Sequence, residues 1–280
     1  MITELHCHTT ASDGLLTPAD VVRLAKRRDV AVLAITDHDT VAAHDEAMAA
    51  GAELNLRIIP GIEISALSPQ GEVHVLGYNV RPTDDATIQT LNGLRGVREA
   101  RARGMIDKLA ALGIAVPFER VKALAGDAMI GRPHLARVLV EMGAVSNMQE
   151  AFDLYLAEGR PAFVPHEGLT PAQAVDLIHA AHGVAVLAHP ALYRGDLDTL
   201  LADLLAAGLD GIEVFYPLHT PAQIEQYKVI ASKHNLVMTG GSDFHYIAGD
   251  LPISLGTVHV PDNCLRALDE RMQARASRRD

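Results

Sequence analysis

Near its start the chain carries the segment ELHCHTTASDG, residues 4–14, which follows a few residues able to form a strand. In extended backbone, residues two apart point to the same face, so His6 and His8 can reach one metal ion together. Gly14 and the small residues before it let the chain turn, which brings Asp13 back towards the same point. Alone, the segment fits a histidine-bearing surface loop equally well. The rest of the chain has to decide between these two interpretations.

The composition predicts an α/β protein with a full hydrophobic core. The chain has 280 residues, a length that suits one large domain or one domain with a sizeable insertion. Hydrophobic residues make up 49%, aromatic residues only 4%, and tryptophan is absent. The core must therefore consist of alanine, valine, leucine and isoleucine, the usual core residues of α/β proteins.

The net charge and the two cysteines indicate which kinds of partner the protein can bind and in which cellular compartment it works. The formal net charge of −11 argues against general binding to the nucleic-acid backbone. The two cysteines, Cys7 and Cys264, form no CxxC pattern, which indicates a reducing compartment without a disulfide framework. The N-terminus has no basic and apolar leader, and no apolar run approaches the ~18 residues of a membrane span. We therefore expect a cytoplasmic protein that does not enter a membrane. Separately, we expect it to be a monomer.

Strands and helices alternate in the first and last parts of the chain. Three Thr-Pro pairs, beginning at Thr17, Thr170 and Thr220, predict helix starts. Continuous apolar runs such as residues 30–35 indicate strands buried on both faces, as in parallel sheets. The predicted strands cover residues 2–6, 30–35, 57–62, 72–78, 184–188, 211–215, 236–239 and 255–260.

The alternation stops between residues 84 and 160, where the sequence reads almost entirely as helix. We therefore predict a barrel built from residues 1–95 and 165–280, interrupted by a helical subdomain at residues 96–164. We expect this insertion to contribute to substrate binding, because it carries a local excess of positive charge.

The positive charge lies between residues 95 and 137, which contain nine Lys/Arg against four Asp/Glu. Arg95, Arg98 and Arg101 are three residues apart and so lie near one helix face. We interpret this as a solvated helix face in preference to a second phosphate site. Phe118, Tyr155 and Phe163 of the same region are interpreted as core residues in preference to a platform for a base.

Imidazole and carboxylate side chains collect at the predicted strand ends. His74 lies within a strand, Asp13 follows the first strand, and seven others lie at or just past strand ends: His6, His8, His38, Glu63, His189, Asp243 and His245. In a (β/α) barrel the strand ends converge on one face, where the active site is built. We therefore predict that these nine side chains meet in one pocket, although they are up to 239 positions apart.

The chemistry of this set points to metal-dependent phosphoryl transfer. Imidazole and carboxylate donors without thiolate suit Mn²⁺, Zn²⁺ or Fe²⁺. Nine ligands are too many for one ion, and a carboxylate such as Glu63 can bridge two ions that share a hydroxide and hold a phosphate in line. The sequence has neither a GxxxxGK[ST] phosphate loop nor a GxSxG nucleophile elbow. The remaining histidines have no carboxylate partner at motif spacing, and we interpret them as non-ligands. We interpret Cys7 as a packed residue and not as a catalytic thiol.

Six segments together resemble the motifs of the PHP (polymerase and histidinol phosphatase) family, in the right order and over essentially the whole chain. They are residues 6–8, 36–39, 61–63, 73–78, 188–190 and 242–245. The resemblance implies a distorted (β/α)7 barrel with a metal cluster, commonly of three ions. The length, the insertion and the Gly131-Arg132-Pro133-His134 segment are most similar to one branch of the family. That branch contains stand-alone phosphoesterases acting on nucleoside 3′,5′-bisphosphates and related 5′-end RNA nucleases.

The resemblance also implies roles for individual residues. One ion would be held by His6, His8, Glu63 and Asp243, a second by Glu63, His74 and His189, and a third by Asp13, His38 and His245. Manganese is the expected metal, with zinc, iron or magnesium as alternatives. His189, His134 and Arg132 are expected to act in catalysis, and Arg132, His134, Arg194 and Asp13 to contact substrate, since the fork of arginine fits phosphate oxygens. Asp37 is expected to orient a neighbouring ligand.

These inferences predict an enzyme, a phosphoric monoester hydrolase that removes the 3′-phosphate of small nucleoside 3′,5′-bisphosphates by attack of a metal-bridging hydroxide. Two alternatives share the fold: a histidinol-phosphate phosphatase, and a 5′–3′ exonuclease on short 5′-phosphorylated oligonucleotides. A metal-stabilised scaffold or regulatory module without turnover is a third. The basic insertion favours a substrate with two negative groups, whereas the negative net charge counts against long nucleic acid but not against short oligomers.

Overall fold

Seven strands form one sheet in which the order along the chain and the order in space coincide. The computed structural model describes residues 1–83, 85–126, 128–165, 168–245 and 254–277. Within these residues the strands are β1 (Ile2–Glu4), β2 (Val30–Ile35), β3 (Arg57–Ser68), β4 (Gly71–Tyr78), β5 (Val184–Leu187), β6 (Gly211–Phe215) and β7 (Val237–Gly240). The sequence predicted all seven, with boundaries that differ mainly for β3.

The helices of the described residues follow the predicted alternation. They are α1 (Pro18–Arg27), α2 (His44–Leu54), α3 (Asp85–Ala111), α4 (Phe118–Ala125), α5 (Arg132–Glu141), α6 (Met148–Ala151), α7 (Pro171–Ala180), α8 (Leu197–Ala206), α9 (Pro221–His234) and α10 (Asp262–Ala276), with a π-helical turn at Phe152–Leu156 and a 3₁₀ turn at Pro190–Leu192. The hydroxyls of Thr17, Thr170 and Thr220 each accept a backbone N–H from the first turn of a helix, which confirms the three Thr-Pro starts.

The sheet closes into a barrel through the segments that follow β1 and β7. The backbone N–H of His8 donates to the carbonyl oxygen of Phe244 at 2.9 Å, and that of Asp243 donates to the carbonyl oxygen of His6 at 2.8 Å. Closure therefore occurs at the strand ends that carry the predicted ligands. The distorted seven-stranded (β/α) barrel with an inserted helical region is confirmed.

Strand β4 runs opposite to the direction expected for a parallel barrel. It pairs antiparallel with both β3 and β5, because only two residues separate β3 from β4, whereas a parallel pair needs a crossover of a dozen or more. Gly71 at the turn has a φ of 137°, which favours glycine. Strand β3 extends to Ser68, so Glu63 lies inside it, and His74 pairs with Ser65.

The predicted strand at residues 255–260 is wrong. This segment has no strand in the structure, although Leu255 and Val260 are buried. Its apolar residues pack under the barrel, and the backbone N–H of Gly256 donates to the carboxylate of Glu4 at 2.9 Å. The barrel has already closed through the residues after β1 and β7, so this segment buries its apolar side chains without joining the sheet.

The insertion has an apolar core of its own. Met105 and Leu109 of α3 belong to that core, whereas Leu91 and Leu94, earlier in the same helix, pack into the barrel core. Phe118, Tyr155 and Phe163 pack against the core of the insertion, as predicted. The division into residues 1–95 with 165–280 and residues 96–164 stays a prediction.

Asp210 joins α10 and α7 to the sheet. Its carboxylate accepts hydrogen bonds from the backbone N–H of Ala185 at 3.0 Å, from Arg271 at 3.1 Å and from Arg275 at 2.9 Å, and lies 2.9 Å from His179 Nε2. Burial alone would raise the pKa of Asp210, but the hydrogen bonds from His179, Arg275 and Ala185 outweigh it and lower the pKa to about 2. The carboxylate therefore stabilises the fold when ionised.

We expect Asp210→Asn to lower the free energy of unfolding at pH 7 by about 2 kcal/mol. The contribution is complete above the unfolded-state pKa near 4 and is lost as the pH falls towards 2, because the folded-state pKa is depressed. Urea unfolding at pH 7, 4 and 2.5 measures it, with exposed Asp203→Asn as the control. An equal stability deficit of the Asp210 variant at pH 7 and pH 2.5 would contradict this account.

Candidate metal centre

The carboxylate of Glu63 is buried and has five imidazoles around it. Oε2 lies 3.4 Å from His6 Nε2, 3.2 Å from His8 Nε2 and 3.0 Å from His38 Nδ1. Oε1 lies 2.9 Å from both His74 Nδ1 and His189 Nε2. Each carboxylate oxygen therefore faces a different set of imidazoles, the arrangement expected of a bridging ligand.

Asp243 shares two of these imidazoles with Glu63. Its Oδ1 lies 3.3 Å from His6 Nε2 and 3.1 Å from His8 Nε2. Its Oδ2 accepts a hydrogen bond of 3.0 Å from the hydroxyl of Tyr216. His6, His8, Glu63 and Asp243 each offer one donor atom, and these four atoms lie within 4.8 Å of one another.

Asp13 forms the centre of a second group, as the turn after residues 6–8 predicted. Its Oδ1 lies 3.1 Å from His245 Nε2, and its Oδ2 lies 3.8 Å from His38 Nε2. His8, Asp13, His38 and His245 meet the same 4.8 Å criterion, and so do His38, Glu63 and His74. The structure thus brings all nine predicted ligands together, with His189 beside His74 on the same Glu63 oxygen.

Several donor atoms at the centre are buried and form no hydrogen bond of acceptable geometry within the described residues, although some lie 3.0 to 3.4 Å from one another. They are His6 Nε2, both ring nitrogens of His8, His38 Nδ1, Glu63 Oε2 and Asp243 Oδ1. Buried polar atoms are nearly always satisfied, so a cluster of exceptions needs an explanation. Imidazole nitrogens and carboxylate oxygens at this spacing fit divalent cations, which makes these clusters candidate metal sites.

The electrostatics of the centre favour bound positive charge. Burial opposes protonation of His8, but Asp243 and Glu63 outweigh it and raise the pKa of His8 to about 10. For His74 burial likewise opposes protonation, and Glu63 and Glu72 raise the pKa to about 10. For Asp13, burial would raise the pKa, but the neighbouring His245 and His38 hold it well below the usual range. Metal ions would replace the protons that the carboxylates otherwise hold on these imidazoles.

Two of the candidate ligands have strained backbone. His189 has a φ of 24° and Asp243 a φ of 54°, in the left-handed region that residues other than glycine rarely adopt. The backbone N–H of His189 donates to Glu213 Oε2 at 2.8 Å, which helps to hold this conformation. Strain of this kind persists only where surrounding contacts impose it, and it is concentrated at functional sites.

Glu213 and Glu4 support the centre, and neither was among the predicted site residues. Glu213 Oε1 lies 3.1 Å from His6 Nδ1, so the other ring nitrogen of His6 faces Glu63 and Asp243. Glu4 accepts the backbone N–H groups of His6 at 3.2 Å and Ser242 at 2.8 Å. The position of Glu213 in β6, near a strand end like the ligands, was an available signal in the sequence.

Asp37 orients a neighbouring candidate ligand, as expected, and it does so through the turn that carries Asp13. Its carboxylate accepts hydrogen bonds from the backbone N–H and the hydroxyl of Thr9, both at 2.8 Å, and from the hydroxyl of Ser12 at 2.6 Å. It therefore fixes the turn that presents Asp13 and does not hold an imidazole directly. Cys7 is buried and its Sγ donates to the carbonyl oxygen of Ala34, which confirms a packed residue.

The interpretation of Arg98 and Arg101 as a solvated face is wrong. Arg98 is buried and donates from Nε to Asp39 Oδ2 at 2.6 Å and from Nη2 to Ser65 Oγ at 2.7 Å. Arg101 donates from Nε to the carbonyl oxygen of Val164 at 3.0 Å. Helix α3 lies on the barrel, so this side of the helix contacts protein.

A cleft of about 220 Å³ opens beside the candidate metal centre. His74 and His189 form part of its lining, together with Arg132, Arg194 and Tyr193. The predicted substrate residues Arg132 and Arg194 thus lie where a group next to the metal ligands would be bound.

His134 is buried, outside the lining of this cleft, and its imidazole is influenced by the charge of Asp13. Its Nδ1 accepts the backbone N–H of Gly131 at 3.0 Å, so the proton of the neutral ring is on Nε2. Burial lowers the pKa of His134 to about 4. At neutral pH this imidazole can donate a hydrogen bond but carries no positive charge.

The barrel and its rim of carboxylates and imidazoles fit a metal-dependent hydrolase, and the comparisons with known proteins indicate a metal-dependent phosphoesterase. A profile of the PHP domain matches residues 4–124. The chain is 39% identical over 249 residues to a 5′-3′ exoribonuclease of Haemophilus influenzae, covering 88% of this chain and 90% of that protein. It is 38% identical over 246 residues to a 3′,5′-nucleoside bisphosphate phosphatase of Chromobacterium violaceum, covering 86% of each. The chain belongs to the PHP family.

A solved structure gives the same result for the fold. A Chromobacterium violaceum protein described as an amidohydrolase, with bound sulfate and no metal, has a TM-score of 0.88 and 35% identity, covering 98% of this chain and 97% of the other. Within the described residues, no helix is both long enough and apolar enough to cross a membrane.

Proposed function

We propose that this phosphoesterase removes the 3′-phosphate of nucleoside 3′,5′-bisphosphates, for example converting adenosine 3′,5′-bisphosphate to AMP and phosphate. The observation that carries the proposal is the small cleft that Arg132 and Arg194 line together with His74 and His189. Two guanidinium groups suit a substrate with two phosphates. The similarity to a bisphosphate phosphatase supports the same assignment.

We assign the metal ions to the clusters described above. His6, His8, Asp13, His38, Glu63, His74, His189, Asp243 and His245 would hold three divalent ions, Mn²⁺ first among Mn²⁺, Zn²⁺, Fe²⁺ and Mg²⁺. Bound there, such ions supply Lewis-acid stabilisation of phosphoryl oxygens and increase the acidity of water. Glu63 and His74 lie within strands and the other seven side chains follow strand ends, so the barrel itself fixes their spacing.

The remaining residues would bind and orient the substrate. The fork of Arg132 would hold the phosphoryl oxygens, with Arg194 on the other phosphate. His134, neutral at pH 7, would donate a hydrogen bond from Nε2 to the ribose 3′-oxygen and so stabilise the negative charge that develops there as the bond from that oxygen to phosphorus breaks. The oxygen of water forms the new bond to phosphorus, one proton of that water ends on the 3′-oxygen, and the ribose leaves with a 3′-hydroxyl.

A second candidate, 5′-3′ exoribonuclease activity, rests on the relative of that name, which is as similar as the phosphatase. The experiment that separates them incubates Mn²⁺-loaded protein with adenosine 3′,5′-bisphosphate, a 5′-phosphorylated oligoribonucleotide and histidinol phosphate. We expect the fastest release of phosphate from the bisphosphate, its loss on chelation and its return with Mn²⁺. Faster release of mononucleotides from the oligomer would replace the proposal with the second candidate. Binding of the bisphosphate without turnover would indicate a regulatory module.

A further inference from the structure

Glu72 lies between two arginines of the helical insertion. It is two residues before His74 on β4, so both side chains point to the same face of the strand. Its Oε2 accepts a hydrogen bond of 3.0 Å from Arg132 Nη2, and its Oε1 accepts one of 3.2 Å from Arg101 Nη1. One carboxylate of the barrel therefore holds both guanidinium groups.

The two arginines differ in their freedom to move. The Arg101 side chain is 9% exposed and is also bound to the carbonyl oxygen of Val164. The Arg132 side chain is 25% exposed and lines the cleft. Without a carboxylate between them, the two positive charges would repel each other, and Arg132 is the one able to turn towards solvent.

We propose that Glu72 is a positioning residue that holds Arg132 in the cleft and thereby sets the affinity of the enzyme for substrate phosphate. The proposal rests on the proposed function, in which Arg132 binds a phosphate. The opposite possibility is that Glu72 only repels anions from the cleft. The two predict KM changes of opposite sign when the charge of Glu72 is removed.

The test compares Glu72→Gln with Glu158→Gln. Glu158 lines the same cleft, and among the described residues it forms no ion pair with Arg132 or Arg101. We expect Glu72→Gln to raise KM for adenosine 3′,5′-bisphosphate about tenfold with kcat within about threefold, because a hydrogen bond between charged groups is lost. Glu158→Gln removes a negative charge from the cleft without breaking an arginine contact, so it should lower KM. A fall in KM for both variants would overturn the proposal in favour of simple repulsion.

A double variant tests whether Glu72 acts through Arg132. Once Arg132→Met is present, adding Glu72→Gln should change KM by less than about twofold, since the interaction has already been removed. A further tenfold rise would overturn the proposal. Thermal unfolding checks that each variant is folded. If Glu72→Gln does not fold, Glu72→Asp replaces it, because this variant keeps the negative charge but has a side chain one methylene shorter.

Sulfate binding, measured by calorimetry, separates this proposal from the proposed function. If the wild-type protein releases no phosphate from the bisphosphate, the proposed function fails, but the anion affinity of the cleft can still be compared. About tenfold weaker sulfate binding in Glu72→Gln than in wild type would support the positioning role. Equal or tighter binding would overturn it.

Discussion

Replacing Glu63 with glutamine should lower kcat for phosphate release by about 10³-fold, the scale of loss seen when one preorganised electrostatic contact to the transition state is removed. Both carboxylate oxygens of Glu63 face imidazole nitrogens, at 2.9 to 3.4 Å. An amide of the same shape has one oxygen, no charge, and an NH₂ group that would point at some of these nitrogens. We therefore expect the variant to lose metal ions as well as activity.

Phosphate release and metal content should be measured on the same samples. Glu53→Gln, a change at an exposed residue of α2, is the matched control and should keep both. Full metal content together with more than a tenth of wild-type kcat in the Glu63 variant would contradict the bridging role.

Arg98→Met should lower the free energy of unfolding by about 3–5 kcal/mol, the cost of leaving a buried charge without its partner. Arg98 is 8% exposed and Asp39 is 1% exposed. Asp39 also accepts the backbone N–H of Ser65 at 2.8 Å, two residues after Glu63 on strand β3. The ion pair thus connects helix α3 of the insertion to the part of the barrel that carries the metal centre.

Denaturant unfolding measures this change, and an exposed ion pair in the insertion provides the control. Arg120 and Glu141 are each nearly half exposed, so Arg120→Met should cost less than about 1 kcal/mol. Adding Asp39→Asn to Arg98→Met should recover part of the loss, because it removes the unpaired charge. A cost below about 1 kcal/mol for Arg98→Met would show that the pair does not stabilise the fold.

The sequence was sufficient to predict that the nine candidate ligands meet. His6, His8 and Asp243 lie at or beyond strand ends. The strand ends of a barrel converge on one face regardless of the conformation of the loops. His74 was less secure, because its strand is antiparallel and the side chain reaches Glu63 from within β4. The direction of β4 depends on the short turn before it, and only the two residues 69 and 70 separate it from β3.

Other features depended on long-range packing that a local pattern does not encode. Arg98 is buried because it lies on the buried stripe of helix α3, with Leu91, Leu94, Ala102 and Met105. The helical spacing predicts a core position for residue 98, whereas an arginine at that position predicts exposure to solvent. The partner that resolves the conflict, Asp39, is 59 residues away. Glu72 was likewise missed because its two arginines belong to the insertion.

The most direct test of the central claim is the number of divalent ions that the chain holds. The purified protein would be loaded with Mn²⁺, dialysed against metal-free buffer and examined by elemental analysis, with Glu63→Gln alongside. We expect about three ions per chain, a number set by the three donor clusters, and at least one fewer in the variant. One ion or none in the wild-type protein, with no change in the variant, would contradict a multinuclear centre.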